Sequence, residues 1–566
     1  MPAALERENW SGLATWWRRN ATSADDDGAM DAAQPDQRLN THRFYLLAGL
    51  AALGLLWGTI VAVAELNALY LSVSLIACAF ILRDFRIGVV FLIVLMPISR
   101  SWVFPHAMLG VTGLNPFNLL LVATLGSYIL RGLSAKSTGR LLPRPLLWLY
   151  IVPILVAGAM GAFHIDEIPS FLLENEVIEF DNVIGYIRDV VLKPLMMVFF
   201  AMLVGVAASQ SEKPEKFIVP AVIAIWVMSV MVIVFVAMSG ISLNEMASSE
   251  SREFLSALGM HANALGRLYV SGYAILLFVW IDAKGRGIRL ALLVSMGLAT
   301  VALILTFSRG AFLSFILVNF LFLLWRRNVK TWIFFGLLAA GVLLILPSAV
   351  YERMATGFGN GFDSGAGVIT AGRVEFLWLP LLPEILKSPI YGQGLDAILW
   401  SEPMRAGGGV TFLAVEHPHN GYLQALLDMG IIGLVLMCAF FLHVWKSFRA
   451  LSVNPDFTPT LRGFYLGSAA GLASLLLSYA TDSSLTPGPE QSFLWLAIGM
   501  MYGHTSKARP KNRHEAAGVS SRDPANGFRA GGPTFHATAG GSAAAANSHS
   551  GNAVSIAQRR PWQPGK

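Results

Sequence analysis

Long unbroken apolar runs separated by short polar turns dominate this chain. They lie near residues 44–64, 67–82, 85–98, 117–132, 145–163, 191–208, 217–240, 266–282, 290–306, 310–325, 331–349, 421–442, 463–480 and 490–503. A helix of about 20 residues, rising about 1.5 Å per residue, crosses roughly 30 Å of hydrocarbon. The runs are continuous, whereas barrel strands would alternate apolar and polar positions, so they predict helices. The expected fold is all-α: a polytopic transmembrane helical bundle of about 12–14 spans spread over residues 44–503.

One turn breaks the rhythm. Residues 351–419 form a loop too long for a simple connection, and loops of that length are usually functional or disordered. This one carries Phe376, Leu377, Trp378, Leu379, Leu381, Leu382, Ile385 and Leu386, a cluster suited to short amphipathic helices on the membrane surface, between the Gly-rich stretches 357–367 and 406–409. Folded back over the bundle, it would cover a cavity open at that end.

Composition supports the membrane reading. Of the 566 residues, 55% are hydrophobic and 13% charged, about half the charge of an ordinary soluble domain. Cys78 and Cys438 both lie in apolar runs, which supports neither a disulfide framework nor a thiolate metal site. The net charge of +6 fits basic cytoplasmic loops and tails better than a nucleic-acid surface. Residues 1–43 are polar, with no cleavable signal expected, and 504–566 are rich in Gly, Ala, Ser, Pro and basic residues. Both read as disordered cytoplasmic tails.

Charge also gives an orientation. Arg83 and Arg86, then Arg131, Lys136, Arg140 and Arg144, then Lys213 and Lys216 occupy alternate turns. Lys284, Arg286 and Arg289, then Arg326, Arg327 and Lys330, then Lys446 and Arg449 continue the series. The opposite turns are acidic, as at Glu167, Glu174, Glu176, Glu179 and Asp181, or lack basic residues, as at 481–489. The positive-inside rule then puts both termini in the cytoplasm and the long loop outside.

Residues able to do chemistry gather at the outer turns. Arg309, in Thr306-Phe307-Ser308-Arg309-Gly310, sits at a span junction, where a guanidinium either contacts phosphate oxygens or snorkels to the interface. Ser308 and nearby amides would add donors. Arg373, after Gly372, opens the amphipathic part of the loop and is either a solvated Arg or a second cation facing the same cavity. Ser388 through Gly394 reads as tight turns. His419, in His417-Pro418-His419-Asn420-Gly421, enters the next span and can act as a general base near neutral pH. A structural role also fits His419, while a His417/His419 metal site lacks a third ligand at matching spacing. Asn420 would orient the ring or bind a sugar hydroxyl. Asn263 and His261 precede another span from the same side. The span interiors look nearly free of charge, which argues against the alternative of a multi-spanning transporter or lipid-linked glycan flippase.

Taken in order, Asn263 to Gly266, Thr306 to Gly310, Gly372-Arg373 with Trp378, Pro389 to Gly394, and His419 to Gln424 followed by Gly430-Ile431-Ile432-Gly433 resemble the O-antigen ligase and polymerase superfamily over about 259–440. The resemblance implies a bacterial inner-membrane enzyme with its active site facing the periplasm. Such an enzyme would move a glycan from a polyprenyl (undecaprenyl) diphosphate carrier to lipid A-core or a growing glycan, in lipopolysaccharide or exopolysaccharide synthesis, with no cofactor and no metal. On that resemblance Arg309 and Arg373 hold the diphosphate and His419 activates the acceptor. Ser308, Asn420, Asn263 and His417 are the further substrate-contact candidates.

Overall fold

The computed structural model describes chiefly residues 67–135, 142–242, 253–329, 372–406, 417–481 and 485–507, apart from a few positions within these stretches. Contact clustering gives one unit of Met1–Arg509 and a second of Pro510–Lys566. The second unit, the expected tail 1–43 and the expected spans 44–64 and 331–349 lie outside the described residues, single positions excepted.

The described chain is helical. Its main helices are α1 (Asn67–Arg83), α2 (Phe85–Leu95), α3 (Pro116–Ala135), α4 (Arg144–Gly161), α5 (Val183–Gln210), α6 (Pro214–Ser239) and α7 (Ala262–Asp282). They continue with α8 (Arg286–Ile304), α9 (Arg309–Arg326), α10 (Leu379–Lys387), α11 (Gly421–Ser452), α12 (Pro459–Ser478) and α13 (Ser492–Lys507). Every expected span within the described residues is a helix. Eight of these helices are long and apolar enough to cross a membrane: α4 to α9, α11 and α12. The last helix runs to Lys507, slightly past the expected start of the C-terminal tail. Among the described residues the only strands are Ala107–Met108 and Val111–Thr112, a small antiparallel hairpin.

With no hydrophobic driving force between helices in lipid, close approach depends on small residues. On α12, a Cβ at Gly463 would lie 2.6 Å from Phe278 O, and one at Gly467 2.6 Å from Ala274 O. These glycines seat α12 against the backbone of α7. Gly499 and Gly503 do the same for α13, where an added Cβ would come within 2.2 Å of Ala201 O and 2.3 Å of Gly205 O on α5.

Basic residues collect where α1, α3, α7, α8, α9 and α11 meet one end of the bundle. Arg86 and Arg131 pair with Asp84 at 2.9 and 3.5 Å, and Arg326 pairs with Asp282 at 3.0 Å. Arg449 lies 4.4 Å from the Trp325 ring centroid and Arg289 5.1 Å from that of Trp280. The sequence's alternation of basic turns is thus a physical end of the molecule.

The expected amphipathic helices are present within the long loop. A π-helical turn, Val374–Trp378, leads into α10, and short turns at Ala397–Trp400 and Glu402–Ala406 follow. Residues 352–369 and 407–416, with their Gly-rich stretches, lie outside the described residues.

Candidate functional site

Opposite the basic end, the chain from α8 to α9 reverses in four residues. Phe307 takes a left-handed φ of 48° and buries its ring at 1% exposure. Such a backbone is uncommon without glycine, and strained positions of this kind concentrate at functional sites. Ser308 then caps α9, its Oγ accepting from Ala311 N at 3.4 Å. Thr306 Oγ1 accepts from Ser308 N at 3.4 Å. Arg309 is therefore the first residue of a transmembrane helix, half-buried. A cation there opposes the helix dipole, by about 0.3–1 kcal/mol in exposed cases. It makes electrostatic sense when an anion occupies the same helix end.

The end of α12 is the hub around which the candidates gather. A Cβ at Gly310 would sit 3.3 Å from Thr481 Oγ1, and Ser314 Oγ donates to Ser474 O at 3.1 Å, so α9 starts against α12. Arg373 donates through a guanidinium NH2 group to Thr481 O. Gly421 N donates to Tyr479 O at 2.7 Å and Tyr422 OH to Leu476 O at 2.6 Å, which anchors the start of α11. Trp378 Nε1 donates to Pro418 O at 2.8 Å, linking the segment behind Arg373 to the residue before His419.

His419 itself has a left-handed φ of 49°, and its ring packs edge-on against His417 with centroids 4.6 Å apart. Asn420 is the α11 cap: its Oδ1 accepts from Tyr422 N and Leu423 N, both at 3.1 Å. What the structure gives Asn420 is this structural duty. Ser308 likewise caps a helix. Asn263 lies in the first turn of α7, where His261 Nδ1 accepts from its N–H at 3.3 Å. Three residues on, a Cβ at Gly266 would meet Ala311 Cβ at 2.5 Å and Ser308 Cβ at 3.4 Å. The start of α7 thus adjoins the start of α9.

Three helix N-termini, those of α7, α9 and α11, consequently meet at the α12 end, and none has an acidic residue in its first turn. Their partial positive charges add to Arg309 and Arg373. The arrangement suits an anion with several oxygens.

Three features were missed from sequence. Thr481 and Tyr479 act chiefly through backbone carbonyls, which leave no side-chain signature. Arg267 and Glu490, 4% and 8% exposed, approach to 4.0 Å just beneath the hub. The third is a break in α11. At Gly430 (φ 62°, ψ −170°) the helix opens, and the turn 388–394 enters the gap. Gln393 N and Gly394 N donate to Leu427 O and Asp428 O, each at 2.9 Å. Ile431 N and Ile432 N donate to Pro389 O and Ile390 O at 2.9 and 3.3 Å. Asp428, 2% exposed, accepts from Ala397 N at 3.0 Å, and Gln424 Nε2 donates to Asp396 Oδ1 at 3.2 Å. Arg267 and Asp428 are the ionisable residues that the expectation of nearly charge-free span interiors has to accommodate. Both lie within about three turns of the helix starts, Arg267 facing Glu490 and Asp428 accepting from a backbone amide.

The fold and site define a polytopic helical membrane protein with a cation-rich cluster at one end of its bundle. Residues 291–438 match the model of the O-antigen ligase family. The match takes in Arg309, Arg373, the α11 break and His419, and leaves out Asn263. No curated protein matches the chain. The match and the apolar helices together support a membrane role in glycan transfer for polysaccharide biosynthesis.

Proposed function

We propose that the chain is a membrane glycosyltransferase that moves a glycan from a polyprenyl diphosphate carrier to an acceptor hydroxyl, as ligase or polymerase of surface polysaccharide. One observation carries the reading. Arg373 bonds to Thr481, just past the end of α12, and the neighbours of Arg309 and His419, Gly310 and Gly421, contact Thr481 and Tyr479 there, among three helix N-termini without a first-turn carboxylate.

Breaking the bond between the anomeric carbon and the diphosphate oxygen leaves the electron pair on the diphosphate. Arg309 and Arg373 offset that charge as it develops. The guanidiniums stay cationic throughout, so in this reading they do what a metal does elsewhere. His419 takes the proton of the acceptor hydroxyl as its oxygen bonds to the anomeric carbon. Direct attack inverts that centre. In the proposed orientation the basic end is cytoplasmic and the site opens to the periplasm of a bacterial inner membrane. The acceptor is lipid A-core or a growing glycan, and Ser308, Asn420, Asn263 and His417 line the approach.

A transporter or flippase would use a discontinuous helix to line an open pathway. The break in α11 does not serve that purpose, because the backbone of 388–394 fills it.

Gene deletion with analysis of lipid-linked intermediates tests the reading. Full-length polymer stranded on its carrier identifies a ligase, and single repeat units identify a polymerase. Unchanged glycans refute both. Donor and product of the same anomeric configuration refute the single displacement.

A further inference from the structure

The face that α10 turns away from the bundle is largely apolar, between Glu375 before it and Lys387 at its end. Leu377, Leu381 and Ile385 are buried against the protein, yet Phe376, Leu379, Leu382 and Leu386 are 49%, 53%, 45% and 74% exposed. Ile390 and Tyr391 of the following turn are 50% and 65% exposed. In water, a contiguous patch of this kind would be a liability. Its neighbours show which solvent it meets. Ile431 and Ile432 donate their amides to Pro389 O and Ile390 O, and their own side chains, with Val435 and Leu442, are about half exposed along the transmembrane helix α11. The apolar face of α10 therefore continues the lipid-facing stripe of a span.

Depth agrees. The part of α11 after the break, residues 431–452, makes a helix of about 33 Å, close to the thickness of the hydrocarbon layer. With Lys446 and Arg449 at the opposite surface, that part alone crosses the layer and brings its near boundary close to Gly430. That is the level at which 388–394, the turn after α10, enters the break.

We propose that the outer face of α10 with the 389–391 turn is a membrane-docking surface, seated in the lipid leaflet at the site's end of the bundle. Its attachment is apolar. Lys387, the cation of α10, is already paired with Glu384 at 2.9 Å and Glu402 at 3.2 Å. Arg373 directly precedes the π-helical turn that leads into α10, so lipid docking sets the height at which its guanidinium meets the α12 end. The inference rests on the chain being a membrane protein and not on glycan transfer.

Site-directed spin labelling of the full chain in nanodiscs tests it, in a background with Cys78→Ala and Cys438→Ala. Labels go on Leu382→Cys and Leu386→Cys. Val435→Cys serves as the lipid reference and Glu402→Cys as the water reference. Power saturation then compares access by oxygen, which concentrates in lipid, with access by a water-soluble nickel chelate. The expected result is an oxygen-to-nickel ratio at 382 and 386 close to that at 435 and several-fold above that at 402. Nickel-favoured access at either position would place the face in water. Exclusion of both reagents would place it under protein. Either result overturns the proposal. The expected ratio would stand even if deletion of the gene left every glycan unchanged.

Discussion

Gly430→Ala tests how the long loop is locked to the bundle. At φ 62° and ψ −170° the residue holds a backbone that a side chain strains, at a cost of about 1–3 kcal/mol. The added Cβ would also fall 2.3 Å from Ile390 O and 2.6 Å from Tyr391 N. Those are backbone atoms and cannot rotate aside, so the turn 388–394 must withdraw. The opposing Gly392 is equally constrained, since its Cβ would lie 2.3 Å from Asp428 C. Withdrawal endangers four crossing hydrogen bonds, from Gln393, Gly394, Ile431 and Ile432. Each buried group left without a partner costs about 1–3 kcal/mol, so losing even two, with the backbone strain, gives roughly 4 kcal/mol or more. At about 1.4 kcal/mol per decade, that is roughly a thousandfold shift toward local opening.

Hydrogen exchange in nanodiscs reads this directly, because the Gln393 and Gly394 amides are the donors. In the wild type the peptide covering 388–394 should be strongly protected. Gly430→Ala should reduce its protection about a thousandfold while the half of α11 after Phe440 stays protected. Gly297→Ala is the control: it lies within α8 with nothing within 4 Å of the added Cβ, and helix propensity makes the change neutral to about 1 kcal/mol stabilising. Wild-type protection of 388–394 in Gly430→Ala would refute the account of the break.

Arg309→Ala, Arg373→Ala and His419→Ala should each abolish complementation of a deletion strain while the protein still inserts; full complementation by all three would show the site to be wrong. Trp378→Phe keeps the ring and removes the 2.8 Å bond to Pro418 O, so it should cost about 1 kcal/mol, read as faster exchange at 417–420. Asp428→Ala removes the carboxyl group that accepts from Ala397 N and leaves that donor buried, which should cost about 1–3 kcal/mol, measured by unfolding in mixed micelles, with Asp428→Asn losing less because it keeps an acceptor. Inorganic pyrophosphate should raise thermal stability, by about 1.4 kcal/mol at ten times its dissociation constant, and the increment should vanish in Arg309→Ala; equal stabilisation of both proteins would place the anion elsewhere.

Much of the helical layout was legible because lipid imposes it: a backbone crossing hydrocarbon must bond to itself, so every span announces itself as an apolar run. Arg309, Arg373 and His419 were legible as candidates because polar side chains beside such runs stand out, and their roles belong to the proposal. What stayed hidden were contacts made by backbone. The Gly430 break looks like the interior of a span, since its compensating bonds come from 388–394, distant in sequence. The anchoring role of Tyr479 and Thr481 rests on their carbonyl oxygens. Asn420 and Ser308 were legible as polar residues near a site, but their capping bonds depend on where each helix begins.

The site's electrostatics also explain why its supports are so strongly tied down. Three positive helix ends and two guanidiniums repel one another when no anion is present, and a mobile loop would relieve that repulsion by moving Arg373 away. The structure opposes such relief at several points. Arg373 is held by Thr481 O, Trp378 by Pro418 O, and the turn after α10 by four backbone bonds inside α11. The small-residue seam between α7 and α12 fixes the hub itself. Charge that cannot relax by movement is relaxed by binding, so under the proposed function the same rigidity that costs stability in the empty protein would become affinity for the carrier diphosphate.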